Sequence, residues 1–192
     1  MTKNSKRAAT LAGCAMLLAM SAGNGWAQKG PPSAADAPET PADAGEAFLG
    51  EWVVDATTSP LDGRTTYGAT LRSSNVVHNS LGYDDEAWLA VRCQQGTLAI
   101  YVVWPFFIGT SGATVSYRFG SGNLRLDNWS GSSDGTAVGR FDSQTARPLL
   151  TELAGSDQFV IRVSSRRSGP QDAVFDTTGA DAVVAGALAA CS

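Results

Sequence analysis

Leu89-Ala90-Val91-Arg92-Cys93-Gln94-Gln95-Gly96-Thr97-Leu98-Ala99-Ile100-Tyr101-Val102-Val103-Trp104 is the stretch whose alternation decides the fold class. Leu89, Val91 and Cys93 fall on one face of an extended segment, and Trp88, Ala90 and Arg92 on the other. Successive side chains of a strand point to opposite faces, so a period of two with one apolar face marks a strand against a core. Gln94-Gln95-Gly96 is a turn signal, and Leu98, Ile100, Val102 and Trp104 then repeat the pattern. Tyr101 and Val103 on the opposite face predict that this second strand is covered on both sides.

The same alternation recurs on either side. Val115, Tyr117 and Phe119 alternate with Ser116 and Arg118, and Gly120-Ser121-Gly122-Asn123 turns the chain into Leu124 and Leu126. Asp134-Gly135 is a two-residue hairpin signal ahead of a strand through Val138 and Phe141. Further strands are predicted at Trp52–Val54, Ala69–Leu71, Phe159–Val163 and Ala173–Phe175. About nine short strands separated by turn signals predict a mainly β, antiparallel, sandwich-like domain. Two helices interrupt it. One is expected over Ala146–Ala154, with Thr145 as its cap, Pro148 in its first turn and Gly155 at its end. The other is expected over Gly179–Cys191 after a capping-box-like Thr178 and Asp181, with Val184, Leu188 and Cys191 on one face.

The N-terminus predicts export. Lys3, Lys6 and Arg7 precede the apolar run Ala8–Met20, and Gly25-Trp26-Ala27 presents small residues where a signal peptidase reads. Residues 1–27 are therefore expected to be a signal peptide, with Gln28 opening the mature chain and a periplasmic location. Leu11-Ala12-Gly13-Cys14 also matches a lipobox, which leaves open a lipoprotein anchored through Cys14. The short apolar run before Cys14, and its continuation past it, favour cleavage after Ala27. Residues 28–47 are rich in Ala and Pro and hold too little bulky apolar surface to offset ordering entropy, so a disordered linker is expected there. Residues 48–192 form the predicted β-rich domain, and no stretch in the mature chain is long and apolar enough to span a membrane.

Export leaves two cysteines. Cys93 points at the core and Cys191 lies on the buried stripe of the last helix, so an oxidising compartment is expected to join them. Separate buried thiols are the alternative, and no C-x-x-C is present to suggest redox work.

Chemistry is sparse. The formal net charge is −4 with mixed signs, which gives no footprint for nucleic acid; Arg166-Arg167 reads as a solvated hairpin tip. The single histidine, His78, lies in the polar stretch Asn75–Asp85, and Asp84-Asp85-Glu86 lacks the ligand alternation of a calcium loop. No serine sits in a nucleophile motif, and the glycine-rich segments join strands rather than opening helices. No metal, cofactor or catalytic residue is predicted; Asp62 with Asp134 is the one carboxylate pair worth testing. The aromatic segment Trp104-Pro105-Phe106-Phe107-Ile108-Gly109 offers two readings, an end-plug of the core or an exposed binding surface. A binding surface would comprise Trp104, Phe106, Phe107, Arg118 and Trp129.

The ordered landmarks Trp52-Val53-Val54, Ser59-Pro60-Leu61-Asp62, Leu89–Cys93, Ile100–Trp104, Val115–Phe119, Trp129 with Ser133-Asp134, Phe159–Arg162, Ala173–Asp176 and Leu188–Cys191 resemble the periplasmic type VI secretion-associated VasI/TagO family. The resemblance runs from about residue 50 to the end. It departs at Gly63, where the family carries an acid, and at Ala180, where it prefers a bulkier apolar residue. It implies a location and a context rather than a reaction: a non-enzymatic accessory protein that binds other envelope proteins of a type VI-like machine. A free-standing module for glycans or cell-wall fragments, using the same aromatics, is the alternative.

Overall fold

The hairpin at residues 88–103 is the centre of the sheet. In this computed structural model, which describes residues 47–165 and 169–192, it forms two strands joined by a tight turn with Gln95 and Gly96 both at positive φ. That pair of left-handed residues is the geometry that matches the twist of a two-residue hairpin. The expected signal peptide, the Cys14 lipidation site, the linker before residue 47 and the Arg166-Arg167 pair lie outside the described residues.

Among the described residues there are twelve strands: β1 (Ala47–Leu49), β2 (Trp52–Thr58), β3 (Thr65–Arg72), β4 (Val77–His78), β5 (Asp84–Asp85), β6 (Trp88–Gln94), β7 (Thr97–Val103), β8 (Ala113–Phe119), β9 (Arg125–Gly131), β10 (Ala137–Arg140), β11 (Gln158–Ser165) and β12 (Gly169–Asp176). Helix α1 (Ser143–Ala154) is inserted before β11, and α2 (Ala180–Ala190) closes the chain. Ten strands make one antiparallel sheet in the order β1-β2-β3-β6-β7-β10-β9-β8-β11-β12, and β4 with β5 makes a separate hairpin. The domain is thus mainly β and sandwich-like, with one inserted and one terminal helix, as the alternation predicts.

The ten strands form two arms. β10 and β9 meet only through Val138↔Gly131 and Gly139↔Ser130. One apolar core contains Trp52, Leu89, Val91 and Ile100 of the first arm, Tyr117, Trp129, Phe159 and Phe175 of the second, and the helical Leu149, Leu150, Val183 and Val184. The sheet therefore doubles back at the β10–β9 joint. Its inward positions are the ones alternation selects: Leu89, Val91, Cys93, Leu98, Ile100 and Val102 are all fully buried. In the second arm the rings continue the core as a row, with centroids of 5.2 Å for Tyr117–Trp129, 4.8 Å for Phe119–Phe159 and 6.0 Å for Phe159–Phe175. Aromatic pairs at such separations add to their burial.

The helix starts differ from expectation. Asp142, not Thr145, caps α1: its carboxylate accepts the Thr145 N–H at 2.9 Å, so the helix begins at Ser143 and Pro148 falls inside it. Gly179, with φ of 87°, occupies the cap position of α2, and the Thr178 hydroxyl bonds the Asp176 carboxylate at 2.7 Å instead. The deepest residues of α2 are Ala180, Val183, Val184 and Ala187, which shifts the buried stripe off Leu188. Asp134-Gly135 sits within a five-residue connection, Ser132–Thr136, closed by the Gly135 N–H on the Ser132 carbonyl at 3.0 Å.

Cys93 and Cys191 form a disulfide with Cα atoms 5.7 Å apart, which pins the end of α2 to the centre of the first arm. At the far margin, the chain after β3 runs along the outer edge of β12. The Ser74 N–H and hydroxyl both reach the Val174 carbonyl, at 2.7 and 3.0 Å. The Asn75 amide donates to the Asp172 carbonyl at 2.9 Å and accepts the Val174 N–H at 2.7 Å. An edge strand with unpaired backbone groups is covered in this way.

Candidate functional site

The aromatic surface expected from the sequence is not a surface. Trp104, Phe106 and Trp129 are 2%, 3% and 2% exposed, which makes them core. Trp104 directly follows β7 and continues its inward series, and its backbone N–H donates to the Thr136 carbonyl at 2.9 Å. Phe106 packs on it with ring centroids 5.5 Å apart. Phe107 alone of the segment faces out, at 61% exposure, with its ring laid over Gly135, where any Cβ would strike it. Arg118 is half-buried on the outer face of the second arm. It bonds the Gly120 carbonyl and lines a separate groove of about 670 Å³ with Asp157 and Asp176. The five residues expected to form one binding surface are therefore divided between the core and two places.

Two other features stand out. The first is the hairpin leading from Asn75 to Glu86. Its tip is fixed by Asn79, whose side-chain carbonyl accepts from the N–H groups of Leu81 and Tyr83 at 3.0 and 3.1 Å and whose backbone pairs with Tyr83 and Gly82. Val77 is buried and anchors the base. Val76, Leu81 and Tyr83 nevertheless lie outside, at 55%, 79% and 67% exposure. Acidic groups flank them: Asp84 faces His78 at 3.3 Å, and Glu86 faces Arg72 at 3.5 Å. The polarity of Asn75–Asp85 masks this hairpin in the sequence. Asn79 and Gly82 bracketing an apolar residue are the signal that reveals it.

The second feature is a groove of about 600 Å³ on the outer face of the first arm. Arg92 of β6, Tyr101 of β7 and Phe141 form its floor, and the connection from Ser130 to Thr136 forms its wall. Tyr101 and Phe141 have ring centroids 5.4 Å apart at 32°. Gly139, paired with Tyr101 across the strands, has no room for a Cβ against the Tyr101 backbone and Ile100 carbonyl, so only glycine permits this approach. The Arg92 guanidinium stands 5.6 Å from the centroid of the Tyr101 ring. Its Nε is buried without a hydrogen-bond partner, and among the described residues no carboxylate pairs with it. On the rim, the Asp134 carboxylate accepts from the Ser132 hydroxyl at 2.5 Å and the Thr136 N–H at 3.1 Å, which holds its carboxyl below the usual range.

Asp62 does not join Asp134. Bonds from Ser59 and the Arg64 N–H lower its carboxyl pKa within the β2–β3 turn. Both carboxylates are turn-stabilising groups with their own local donors. Among the described residues no cluster of His, Cys, Asp and Glu is assembled to hold a metal ion, and no helix is long and apolar enough to cross a membrane.

Compared by sequence, the chain matches no family model and no curated protein. Compared by structure, it is similar to the crystal structure of invasion associated protein B from Bartonella henselae, at 13% identity and a TM-score of 0.49, over 75% of this chain and 95% of that one. At that distance the likeness bears on neither fold nor function.

Proposed function

We propose that this protein is a non-enzymatic, periplasmic accessory protein that acts by binding another envelope protein. The leader-like N-terminus and the Cys93–Cys191 bridge support an oxidising compartment. The resemblance to type VI secretion-associated proteins supplies the context, an envelope machine of that kind.

One observation carries the protein-binding reading: Val76, Leu81 and Tyr83 are exposed on a hairpin whose tip is already fixed by Asn79. Apolar side chains grouped at the surface mark contact sites, and a tip that needs no ordering loses less entropy when it docks. The alternative of a free-standing glycan module rested on Trp104, Phe106 and Trp129, and their burial removes that surface.

The test is a photo-crosslinking residue at position 81 in the native envelope, with position 61 as control, since Leu61 is also exposed at 94%. One reproducible envelope partner is expected from position 81 and none from 61. Leu81→Ser with Tyr83→Ser should abolish the crosslink from the neighbouring position 80 without moving the melting temperature. Equal products from positions 61 and 81 would refute the reading.

A further inference from the structure

The groove over Arg92 lies on a different part of the molecule and calls for a different ligand. An arginine half-removed from water is normally answered by a carboxylate or by carbonyls, because an uncompensated charge there is costly. Arginines elsewhere in the sheet follow that rule: Arg140 pairs with Asp127, Arg125 with Glu152 and Arg162 with Asp172. Arg92 does not. Its contact is the face of Tyr101, 5.6 Å from the guanidinium, and its buried Nε has no hydrogen-bond partner.

Around that cation the groove is divided by chemistry. Tyr101 and Phe141 supply tilted aromatic rings, and Ser130, Ser133 and Thr136 supply hydroxyls along the wall, while the Ser132 hydroxyl is bound to Asp134. Asp134 adds an acceptor at the rim. Rings receive the C–H face of a pyranose, hydroxyls exchange hydrogen bonds with its own, and a guanidinium fork matches a carboxylate. The volume is within the range of small-ligand sites. We infer that this groove binds a saccharide bearing a carboxylate, with Arg92 reading the acid, Tyr101 and Phe141 reading the ring, and the Ser132–Thr136 wall reading its hydroxyls. The site is independent of the hairpin at residues 75–86, so either can fail without the other.

The experiment titrates the oxidised protein with N-acetylmuramic acid, with N-acetylglucosamine, which lacks the lactyl carboxylate, and with D-lactate, which lacks the sugar. Amide and arginine Nε–H resonances are followed by NMR. N-acetylmuramic acid is expected to bind in the millimolar range, shifting Arg92 Nε–H, Tyr101 and Thr136, with each half at least about tenfold weaker. Arg92→Gln should bring the acidic and neutral sugars to equal affinity, Arg92→Lys should restore part of the difference, and Tyr101→Ala should weaken both sugars. Equal binding of the two sugars by the unmodified protein, lactate binding as tightly as the whole ligand, shifts mapping outside the groove, or no binding at tens of millimolar would each overturn the inference. The wild-type shift map decides the matter even if a variant fails to fold.

Discussion

Cutting the Cys93–Cys191 bridge should cost the domain a large share of its stability. The two cysteines are 98 residues apart in sequence, so the bond closes a loop holding most of the domain. In the chain-entropy treatment, a loop of that length restricts the unfolded chain by about 16 cal/mol/K, or about 4.7 kcal/mol at 25 °C. Cys93 is fully buried, so serine there would add an unpaired hydroxyl, and alanine at both positions is the cleaner perturbation. For a domain of this size the loss corresponds to a fall in melting temperature of roughly 10–15 °C. Urea unfolding of the oxidised protein, the reduced protein and the double alanine variant measures it. Both bridgeless forms should fall together, with a steeper denaturant slope because the unlinked unfolded chain exposes more surface. A loss below about 1 kcal/mol with an unchanged slope would show that the bond does not constrain the unfolded chain as argued.

Trp104→Ala should destabilise the domain by about 3–5 kcal/mol, as for a large aromatic removed from a core, whereas Phe107→Ser should leave urea unfolding nearly unchanged; similar values for both would contradict the burial assigned to the segment. Acid should weaken the fold late. Bonds from Thr145 hold the Asp142 carboxyl below the ordinary value of 3.8, and those from Arg162 and Thr178 do the same for Asp172 and Asp176. A lowered folded-state pKa contributes stability that is complete above the unfolded value and is lost as pH falls through the folded one. The urea midpoint should therefore be steady down to about pH 5 and decline around and below 3.8. A decline centred near pH 6 would point to a different group.

The strands and the bridge were legible because their signals are local and redundant. Leu89, Val91 and Cys93 say the same thing about one face, and Leu98, Ile100 and Val102 repeat it. The last helix was legible for the same reason, although Gly179 displaced Thr178 from its cap because a left-handed residue ends the preceding turn. Asp142 was missed as the start of α1 because Thr145 is an equally good capping residue, and only the observed bond separates them. The aromatic segment was ambiguous in principle: Trp104 and Phe106 carry the same composition whether they plug the core or line a surface. What decided it is the distant Thr136–Gly135 turn, which takes the N–H groups of Trp104 and Ile108. The groove was invisible because its floor comes from the polar or aromatic backs of strands, Arg92, Tyr101 and Phe141, whose closeness depends on the register of β6, β7 and β10.

Ser74 and Asn75 perform for β12 the task that a strand from another molecule would otherwise take over. A long sheet with a bare last strand invites copies to stitch together side by side. Here the last strand has its own hem over Asp172 and Val174, sewn from within the same chain. The hairpin that exposes Leu81 and Tyr83 begins at Asn75 too, so the stitch along β12 is also the root of that exposed tip.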